Sequence, residues 1–557
     1  MMTLACLWVG FVSQDAATPG EIRVRATIHS IGIEWDLAGD ADRDATCQAH
    51  YRAVGSISWK KAMPLFRVDY RGWYLGGHRA DRRYNMLAGS VLFLGPGTRY
   101  EVKLELADPD GGSETRTLAV ETRAVPKLPE GGRTLHVTPG SGGGDGSEGN
   151  PFRGLAAAQA AARPGDLFLL HAGEYGTFAF SVPGEKDRPV AWKAAVDGEA
   201  VLTGADVASH VRLEGLTFRK GERNTALRGA AASDVAVVRN RFSGFQNSIV
   251  VGRGGRDWYI ADNEVVGDND PGKSKLDGEG IELSQTAGHT VCYNRVSRVQ
   301  AGVHYPRSDC DIFGNDLFDL TDDGVEADYG YANIRVWGNR ITNYGNNGLS
   351  FQPMLCGPWY FIRNQVIGEG YMFKFRVQDR FVLVNNTFAT WGLMSDRMHH
   401  VLYSYSRNNL YLSAGPRSRN DPPLWATNRY KDETPEGVRP TDLRPNWMTD
   451  VDYDGFDWAE GRGISWQKEY TDLTEFARDV GIEKHGVRVR KEDLFERWDL
   501  PAKPGPVAPA TLLLRKASNA VDAGAAVPNV NDDFAGKAPD LGAHEYGSPA
   551  PHYGPRR

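Results

Sequence analysis

A short pattern of apolar, polar and asparagine positions recurs along the middle of the chain. The unit apolar-x-x-Asn-x-apolar appears as VVRNRF, IADNEV, VCYNRV, IFGNDL, VWGNRI, FIRNQV and LVNNTF. Its asparagines are Asn240, Asn263, Asn294, Asn315, Asn339, Asn364 and Asn386. They follow one another at 21 to 25 residues, except for one step of 31. Short β-type runs at this period predict turns of a parallel β-helix, with the asparagines stacked at one corner.

Residues 18–126 show a different pattern, in which apolar and polar positions alternate in short runs such as EIRVRATI and TRYEVKLELAD. This alternation predicts a small all-β domain. Tyr100 follows LFLGPGT, where a tyrosine hydroxyl can bond the backbone as in a tyrosine corner, and Trp35 lies on an early strand. With these residues the segment resembles a fibronectin type III domain, which implies a β-sandwich that acts as a spacer or docking module. The proline-containing link VPKLPEGG predicts that this part folds independently of the rest.

The remaining segments give the boundaries of the predicted solenoid. The Ala-rich stretch GLAAAQAAA predicts a helix that caps its first turn, so the solenoid covers residues 134–411. The long step between Asn263 and Asn294 holds an insertion, GDNDPGKSKLDGEG, and insertions in solenoids lie on one face, often the binding face. After residue 412 the repeat fades. We expect 412–557 to pack on the solenoid as an irregular extension with one helix around LTEFARDVG.

Aligning the turns on their asparagines brings one strand of each turn into register, namely SIVVG, GIELS, GVHYP, GVEAD, GLSFQ and MFKFR. Alternation along a strand then predicts three columns of side chains. The inward column is Ile249, Ile281, Val303, Val325, Leu349 and Phe373. The first outward column is Val250, Glu282, His304, Glu326, Ser350 and Lys374, and the second is Gly252, Ser284, Pro306, Asp328, Gln352 and Arg376.

The outward columns contain paired carboxylates. Glu282 and Glu326 lie two turns apart, about 9–10 Å, and Glu326 and Asp328 share a face at roughly 6.5–7 Å. Carboxyl pairs about 6.5–9.5 Å apart are typical of inverting glycoside hydrolysis. Six acids fall between Asp316 and Asp328 with no basic residue among them. Like charges in such a cluster favour proton chemistry or cation binding over a merely solvated face.

Other residues keep further chemistries open. Asp323, Glu326 and Asp328 are candidate ligands for Ca²⁺, although acid–base hydrolysis requires no cofactor. Lys374 and Arg376, with His304, are candidate base and anion-stabilising groups for a lyase acting on a uronate. Tyrosines suit the apolar C–H faces of sugar rings. The candidates for contact with a polysaccharide substrate are Tyr305, Tyr329, Tyr331, Gln352 and Trp359.

Composition and charge narrow the class of protein. The net charge of −7 over 557 residues comes without a basic patch, so a nucleic-acid partner is excluded. No apolar run reaches the roughly 18 residues of a membrane span. Residues 1–17 place small residues after an apolar stretch, as in a signal peptide, which predicts a secreted, periplasmic or cell-surface protein. The five cysteines show no zinc-like spacing.

From about Thr134 onward the chain resembles the secreted right-handed parallel β-helix, pectate-lyase-like superfamily. The resemblance rests on NPF…ARPGD…GEY, the asparagine turns, DDGVEADYGYANIRVWGN, GLSFQPMLCGPWYFIRN and PDLGAHEYG. It implies an all-β chain that acts on glycans, as a glycoside hydrolase first, a polysaccharide lyase second, or a non-catalytic adhesive protein third. Glu326-Ala327-Asp328 also resembles the ExE strand of alginate-lyase-like β-helices, with Ser350 where that family has an arginine.

Overall fold

The computed structural model describes residues 15–70, 84–273, 277–352, 356–375, 380–392, 394, 404–415, 425–427, 449–466 and 468–556. Most of the predicted signal segment, residues 1–14, lies outside the described residues, and so does Arg376. Among the residues described, no helix has the length and apolar character needed to cross a membrane.

The N-terminal part forms two four-stranded antiparallel sheets over one core. Its strands are β1 (Thr18–Ala26), β2 (Ile31–Ala38), β3 (Thr46–Ala53), β4 (Lys60–Lys61), β5 (Phe66–Tyr70), β6 (Tyr84–Val91), β7 (Arg99–Ala107) and β8 (Ser113–Glu121). The sheet orders are β1-β2-β6-β5 and β4-β3-β7-β8. Trp35 is fully buried between them, and the Gly95 N–H donates to the Tyr100 hydroxyl at 2.9 Å. This contact is the one expected of a tyrosine corner.

The rest of the chain winds into a parallel β-solenoid, as the repeat predicts. A typical turn contributes three strands, for example Cys310–Phe313, Asp316–Leu320 and Val325–Glu326. The first strands of the turns form a 14-stranded sheet, which we call the first ladder. Its strands are Thr134–Thr138, Phe152–Arg153, Leu167–Leu170, Val190–Ala194, Val211–Glu214, Ala236–Val238, Tyr259–Ala261, Thr290–Cys292, Cys310–Phe313, Ile334–Trp337, Trp359–Ile362, Phe381–Val384, Ser404–Arg407 and Asp450–Val451.

The other two strands of each turn belong to a 20-stranded sheet that begins with Gly173–Phe180 and Ala200–Val207. The second ladder is Thr217–Arg219, Arg241–Ser243, Glu264–Val266, Arg295–Ser297, Asp316–Leu320, Arg340–Tyr344, Gln365–Gly368, Thr387–Thr390, Leu410–Ser413, Gly455–Asp457 and Val487–Arg488. The third ladder is Thr225–Gly229, Asn247–Val250, Ile281–Ala287, Val303–Ser308, Val325–Glu326, Asn347–Phe351 and Tyr371–Phe375.

The asparagines stack at the corner between the first and second ladders, which confirms their predicted role. The backbone N–H of Asn294 donates to Asn315 Oδ1 at 2.9 Å, and its Nδ2 donates to the same oxygen at 3.0 Å and to the Ile260 carbonyl at 2.9 Å. The stack continues to Asn409, whose N–H donates to Asp454 Oδ1 at 2.7 Å. Each side chain thereby satisfies buried backbone groups of neighbouring turns.

The solenoid continues beyond residue 411, so the expectation of an irregular extension with one helix is wrong in part. Strands Asp450–Val451, Gly455–Asp457 and Val487–Arg488 extend both sheets, and Trp425–Thr427, Ile464–Trp466 and Lys468–Tyr470 form a small sheet. Helix α1 is Leu155–Ala160 in the predicted cap, and α2 (Leu473–Val480) and α3 (Lys491–Leu494) lie in this region. Residues 495–556 then follow the coil without long strands. For example, the Leu512 N–H donates to Gln365 Oε1 at 2.7 Å.

The N-terminal sheets pack on the outer face of the first ladder. Arg335 is fully buried there, with its Nε donating to Asp311 Oδ1 at 2.6 Å and its Nη1 to the Ser90 hydroxyl at 3.0 Å. Thr27 and Ser30 from the N-terminal part also donate to the Asp311 carboxylate. The N-terminal sheets thus cover an ion pair of the solenoid and supply hydroxyl groups to both of its members. Independent folding of the N-terminal part stays a prediction.

Candidate functional site

The third ladder places the predicted columns in the predicted register. Ile281, Val303, Val325, Leu349 and Phe373 pair in succession and are fully buried in the solenoid core. The next residues, Glu282, His304, Glu326, Ser350 and Lys374, therefore form one column on the outer side of the strands. The asparagine repeat identifies the turns, and the Gly-aliphatic start of the strands at Gly280, Gly302, Gly324 and Gly348 sets the register within them.

The second outward column is interrupted. Between Glu282 and Thr286 the register shifts, so that Thr286 rather than Ser284 stands opposite Pro306. Ser284 and Gln285 have positive φ values of 52° and 55°, and the Ser284 N–H donates to Glu282 Oε1 at 2.5 Å. This local bulge turns the backbone back onto the Glu282 carboxylate, a feature that alternation alone does not predict.

His304 lies at the centre of the site between two carboxylates. Its Nδ1 contacts Glu282 Oε2 at hydrogen-bond distance, and its Nε2 is 3.3 Å from Glu326 Oε2. Burial alone would lower the pKa of His304, but the hydrogen bonds and charges of the acidic neighbours outweigh burial and raise that pKa to about 11. His304 is therefore a cation at neutral pH, and its imidazole fills the space between Glu282 and Glu326.

A fourth residue of this group, Glu279, was missed by sequence reasoning. Its Oε1 is 3.8 Å from His304 Nδ1, and its Oε2 accepts from the Ala301 N–H at 3.3 Å. Burial raises the pKa of Glu279 to about 7, although the His304 charge opposes that rise. A sequence signal was present, because Glu279-Gly-Ile-Glu282 and Asp323-Gly-Val-Glu326 have the same acid-Gly-aliphatic-Glu pattern.

A buried carboxylate cluster lies on the other side of His304. Asp322, Asp323 and Glu326 each offer an oxygen, and these oxygens lie within 4.8 Å of one another. Within the described part of the chain, Asp322 Oδ1 is buried and accepts no hydrogen bond, while Glu326 Oε2 faces His304 Nε2 at 3.3 Å. Burial raises the pKa of Asp322 and that of Asp323, and the negative charge of neighbouring acids adds to the rise at Asp323. Such a cluster has the hard oxygen donors that a divalent cation prefers.

The cluster differs from the predicted metal-ligand set, because Asp322 joins Asp323 and Glu326 in place of Asp328. Asp323 Oδ1 accepts from the N–H and the Nδ2 of Asn347 at 2.9 and 2.7 Å, and Asp322 Oδ2 accepts from Gln300 Nε2 at 3.1 Å. The two remaining acids of the dense segment are structural. Asp316 pairs with Arg340 at 2.8 Å, and Asp319 accepts from Asn343 at 2.8 Å.

Asp328 lies next to Glu326 in a buried position. Its Oδ1 accepts from the Ser350 hydroxyl at 3.1 Å and from the Gln352 N–H at 2.9 Å. Burial raises the pKa of Asp328 to about 7, the Glu326 charge adds to the rise, and the Lys374 charge opposes it. Lys374 is half-buried opposite Ser350, where its charge also acts on Asp322 and Asp323. Asp328 can therefore hold a proton near neutral pH.

The predicted substrate-binding aromatic residues divide into three groups. Tyr305 stacks on His304 with ring centroids 3.5 Å apart, and Tyr329 meets Tyr305 edge-on at 6.0 Å. Tyr331 lies under Arg307, whose guanidinium is 4.1 Å from the ring centroid. Trp359 is fully buried in the solenoid core beside Phe351, so the prediction that it contacts substrate is wrong. Gln352 is half-buried and contributes its N–H to Asp328.

No protein-family profile and no curated protein matches this sequence. Among solved structures, the chain is similar to the family 28 exopolygalacturonase of Yersinia enterocolitica, with 11% identity and a TM-score of 0.34, over 79% of this chain and 92% of that one. It is also similar to the PL6 family alginate lyase AlyGC, with 13% identity and a TM-score of 0.31, over 63% of this chain and 57% of the lyase. A variant of that lyase has a TM-score of 0.32 at the same identity. At these values no residue role is carried over.

Proposed function

We propose that this chain is a glycan-cleaving enzyme whose site is the acidic face around Glu326, and that it acts as a glycoside hydrolase. The observation that supports this most directly is the environment of Asp328, whose pKa is raised to about 7 by burial and by Glu326. Two neighbouring carboxyl groups with opposite environments serve as the acid and the base of such a reaction. Here Asp328 holds the proton, while Glu326 faces the cationic His304.

In this proposal the acid–base pair is Glu326 and Asp328 rather than Glu282 and Glu326. The His304 ring occupies the space between Glu282 and Glu326, so that a water molecule and a sugar oxygen do not fit there. Asp328 donates a proton to the leaving glycosidic oxygen, and Glu326 activates water. Tyr305 and Tyr329 offer ring faces and edges to the C–H faces of the sugar.

A second candidate, eliminative cleavage of a uronate glycan, is favoured by the carboxylate cluster. Asp322, Asp323 and Glu326 would hold a Ca²⁺ ion, since their oxygens lie within 4.8 Å of one another and the buried Asp322 Oδ1 accepts no hydrogen bond from the described residues. A cation held there would neutralise a uronate carboxylate and make the adjacent C–H more acidic. Lys374 is the candidate proton acceptor in that reaction, which requires its neutral amine; its ammonium form, whose charge reaches this cluster, would instead stabilise the resulting anion.

We further propose that the N-terminal sheets are a fibronectin type III-like domain and that the protein acts outside the cytoplasm. The sheet orders β1-β2-β6-β5 and β4-β3-β7-β8 and the hydroxyl contact of Tyr100 support the first point. The apolar segment at residues 1–17 and a glycan substrate support the second.

The experiment is incubation of the full chain with a panel of neutral and uronic-acid polysaccharides. New reducing ends without ultraviolet absorbance from unsaturated uronic ends mean hydrolysis, and a gain in that absorbance means elimination. Each assay is repeated with a chelator and with added Ca²⁺, and with Asp328→Asn as the inactive control. Binding of a glycan without any cleavage would replace the proposal with a non-catalytic adhesive role.

A further inference from the structure

The N-terminal sheets reach the edge of the candidate site through one turn of the solenoid. Residues 329–332 connect the strand that carries Glu326 to the next strand of the first ladder. In this turn, Ala332 is buried in one apolar cluster with four residues of the N-terminal sheets and Cys356, and Tyr329 and Tyr331 pack against the same cluster. The four N-terminal residues are Val68, Tyr84, Met86 and Ala88.

Tyr84 is the aromatic member of this contact. Its ring meets that of Tyr331 edge-on, with centroids 6.1 Å apart, and only 7% of Tyr84 is exposed. The backbone of Tyr331 is held on both sides, since its N–H donates to the Arg307 carbonyl at 2.7 Å and its carbonyl accepts from the Gly357 N–H at 2.9 Å. The turn therefore lies between the N-terminal sheet on one side and the neighbouring turns of the solenoid on the other.

The same turn determines where the half-buried tyrosines of the site lie. Tyr329 has a φ of 62° and Tyr305 a φ of 52°, left-handed conformations that are unfavourable for residues with bulky side chains. Such conformations persist only where the surroundings impose them. For Tyr329 the surroundings are the apolar cluster with Tyr84 on one side and the ring of Tyr305 on the other.

We propose that Tyr84 of the N-terminal sheets is a positioning residue for the substrate site. By packing on Tyr331 it holds the 329–332 turn, so that Tyr329 and Tyr305 present an aromatic wall beside His304 to a sugar ring. This inference rests on the proposed function, because it takes the bound molecule to be a glycan. The N-terminal part then acts as a fixed component of the groove and not as a separate spacer.

The experiment compares the kinetics of Tyr84→Leu with those of Phe66→Leu on the glycan that the wild type cleaves. Phe66 is a matched control, because it is also 7% exposed and packs on the solenoid, but against Tyr405 at 6.0 Å and away from the turn. We expect Tyr84→Leu to raise KM about tenfold with a smaller change in kcat, since an aromatic contact to the sugar is misplaced. Tyr84→Phe should restore KM, and Phe66→Leu should leave it at the wild-type value.

A double-mutant cycle of Tyr84→Leu and Tyr331→Leu tests whether the contact between these two rings carries the effect. If Tyr84→Leu does not fold, the single variant Tyr331→Leu takes its place. The KM changes of Tyr84→Leu and Tyr331→Leu should not add, because both remove the same contact. An unchanged KM in Tyr84→Leu or in Tyr331→Leu, or an equal rise in Phe66→Leu, would overturn the inference and leave the proposed function intact. A wild type that cleaves no glycan overturns the proposed function itself and this inference with it.

Discussion

His304 Nε2 lies 3.3 Å from Glu326 Oε2, while Nδ1 of the same ring contacts Glu282. One imidazole therefore joins carboxylates that are two solenoid turns apart, and its pKa is raised to about 11. A histidine that keeps its proton at neutral pH is a poor general base. Its role here is electrostatic, because it supplies positive charge to a face that also carries Glu279, Asp322, Asp323 and Asp328.

The raised pKa of Glu279 predicts a pH-dependent term in stability. Its pKa rises from 4.5 to about 7 on folding, so between these values the folded state holds a proton that the unfolded state has lost. The free energy of unfolding contributed by this group is full below about pH 4.5 and falls as the pH rises to about 7. In Glu279→Gln the free energy of unfolding should therefore fall less between pH 4.5 and 7 than in the wild type. The difference should be up to about 3 kcal/mol, at about 1.4 kcal/mol per pKa unit.

Urea unfolding of the wild type and of Glu279→Gln at several pH values measures this difference. The groups that face Glu279, namely Glu282, His304 and Glu326, are present in both proteins. Glu264→Gln, in an exposed position on the second ladder, is the control and should follow the wild-type curve. Parallel curves for the wild type and Glu279→Gln would contradict the prediction.

The carboxylate cluster predicts a stabilising effect of Ca²⁺ that does not depend on activity. A cation that binds only the folded state adds about 2.7 kcal/mol at a hundredfold excess over its dissociation constant. Added Ca²⁺ should therefore raise the melting temperature of the wild type, and a chelator should reverse the rise. Asp322→Asn, which removes one of the three carboxylates, should lose most of the effect. If Ca²⁺ raises the melting temperature of Asp322→Asn as much as that of the wild type, the ion binds outside this cluster.

The buried ion pair between Arg335 and Asp311, which the N-terminal sheets cover, predicts a large contribution of Arg335 to stability. Arg335→Ala leaves the Asp311 carboxylate buried without its cation, which should cost about 3–5 kcal/mol in urea unfolding. Arg363→Ala is the control, because Arg363 pairs with the exposed Asp533 at 3.6 Å and should lose at most about 1 kcal/mol. If Arg335→Ala also loses at most about 1 kcal/mol, the prediction is wrong, and water then takes the place of the guanidinium beside Asp311.

The fold and the column around His304 could be predicted because regular features determine them. The asparagine repeat identifies the turns, and the Gly-aliphatic start of each third strand sets its register, which places His304 and Glu326 opposite each other. Glu279 could not be found in this way, since it lies before the strand Ile281–Ala287, outside the positions that alternation along the strand describes.

The error at Trp359 has a different physical origin. Trp359 faces the solenoid core, and the next residue, Tyr360, faces outward but is covered by the N-terminal sheets, where its hydroxyl accepts from the Ser90 N–H at 2.8 Å. Both faces of this strand are therefore buried, and alternation does not distinguish them. The docking of the N-terminal sheets on the first ladder is a tertiary contact between segments about 270 residues apart.

Glu326 is the residue whose substitution should separate catalysis from stability most clearly. Glu326→Gln keeps the shape of the side chain but removes the charge that faces His304 and that raises the pKa of Asp328. We expect kcat/KM to fall about 10²-fold or more, the usual effect of losing a general acid or base. The melting temperature should change little, because the loss of the contact with His304 is offset by reduced repulsion from Asp322, Asp323 and Asp328.

Asp319→Asn is the control, since Asp319 belongs to the same acidic segment but contacts Asn343 away from the site, and it should keep full activity. If Glu326 acts by binding a cation, a chelator should lower the activity of the wild type to the same extent, and excess Ca²⁺ should restore that activity. If Glu326 acts only in acid–base catalysis, neither the chelator nor Ca²⁺ should change the activity. Full activity in Glu326→Gln would exclude Glu326 from the reaction and leave Lys374 as the group to test next.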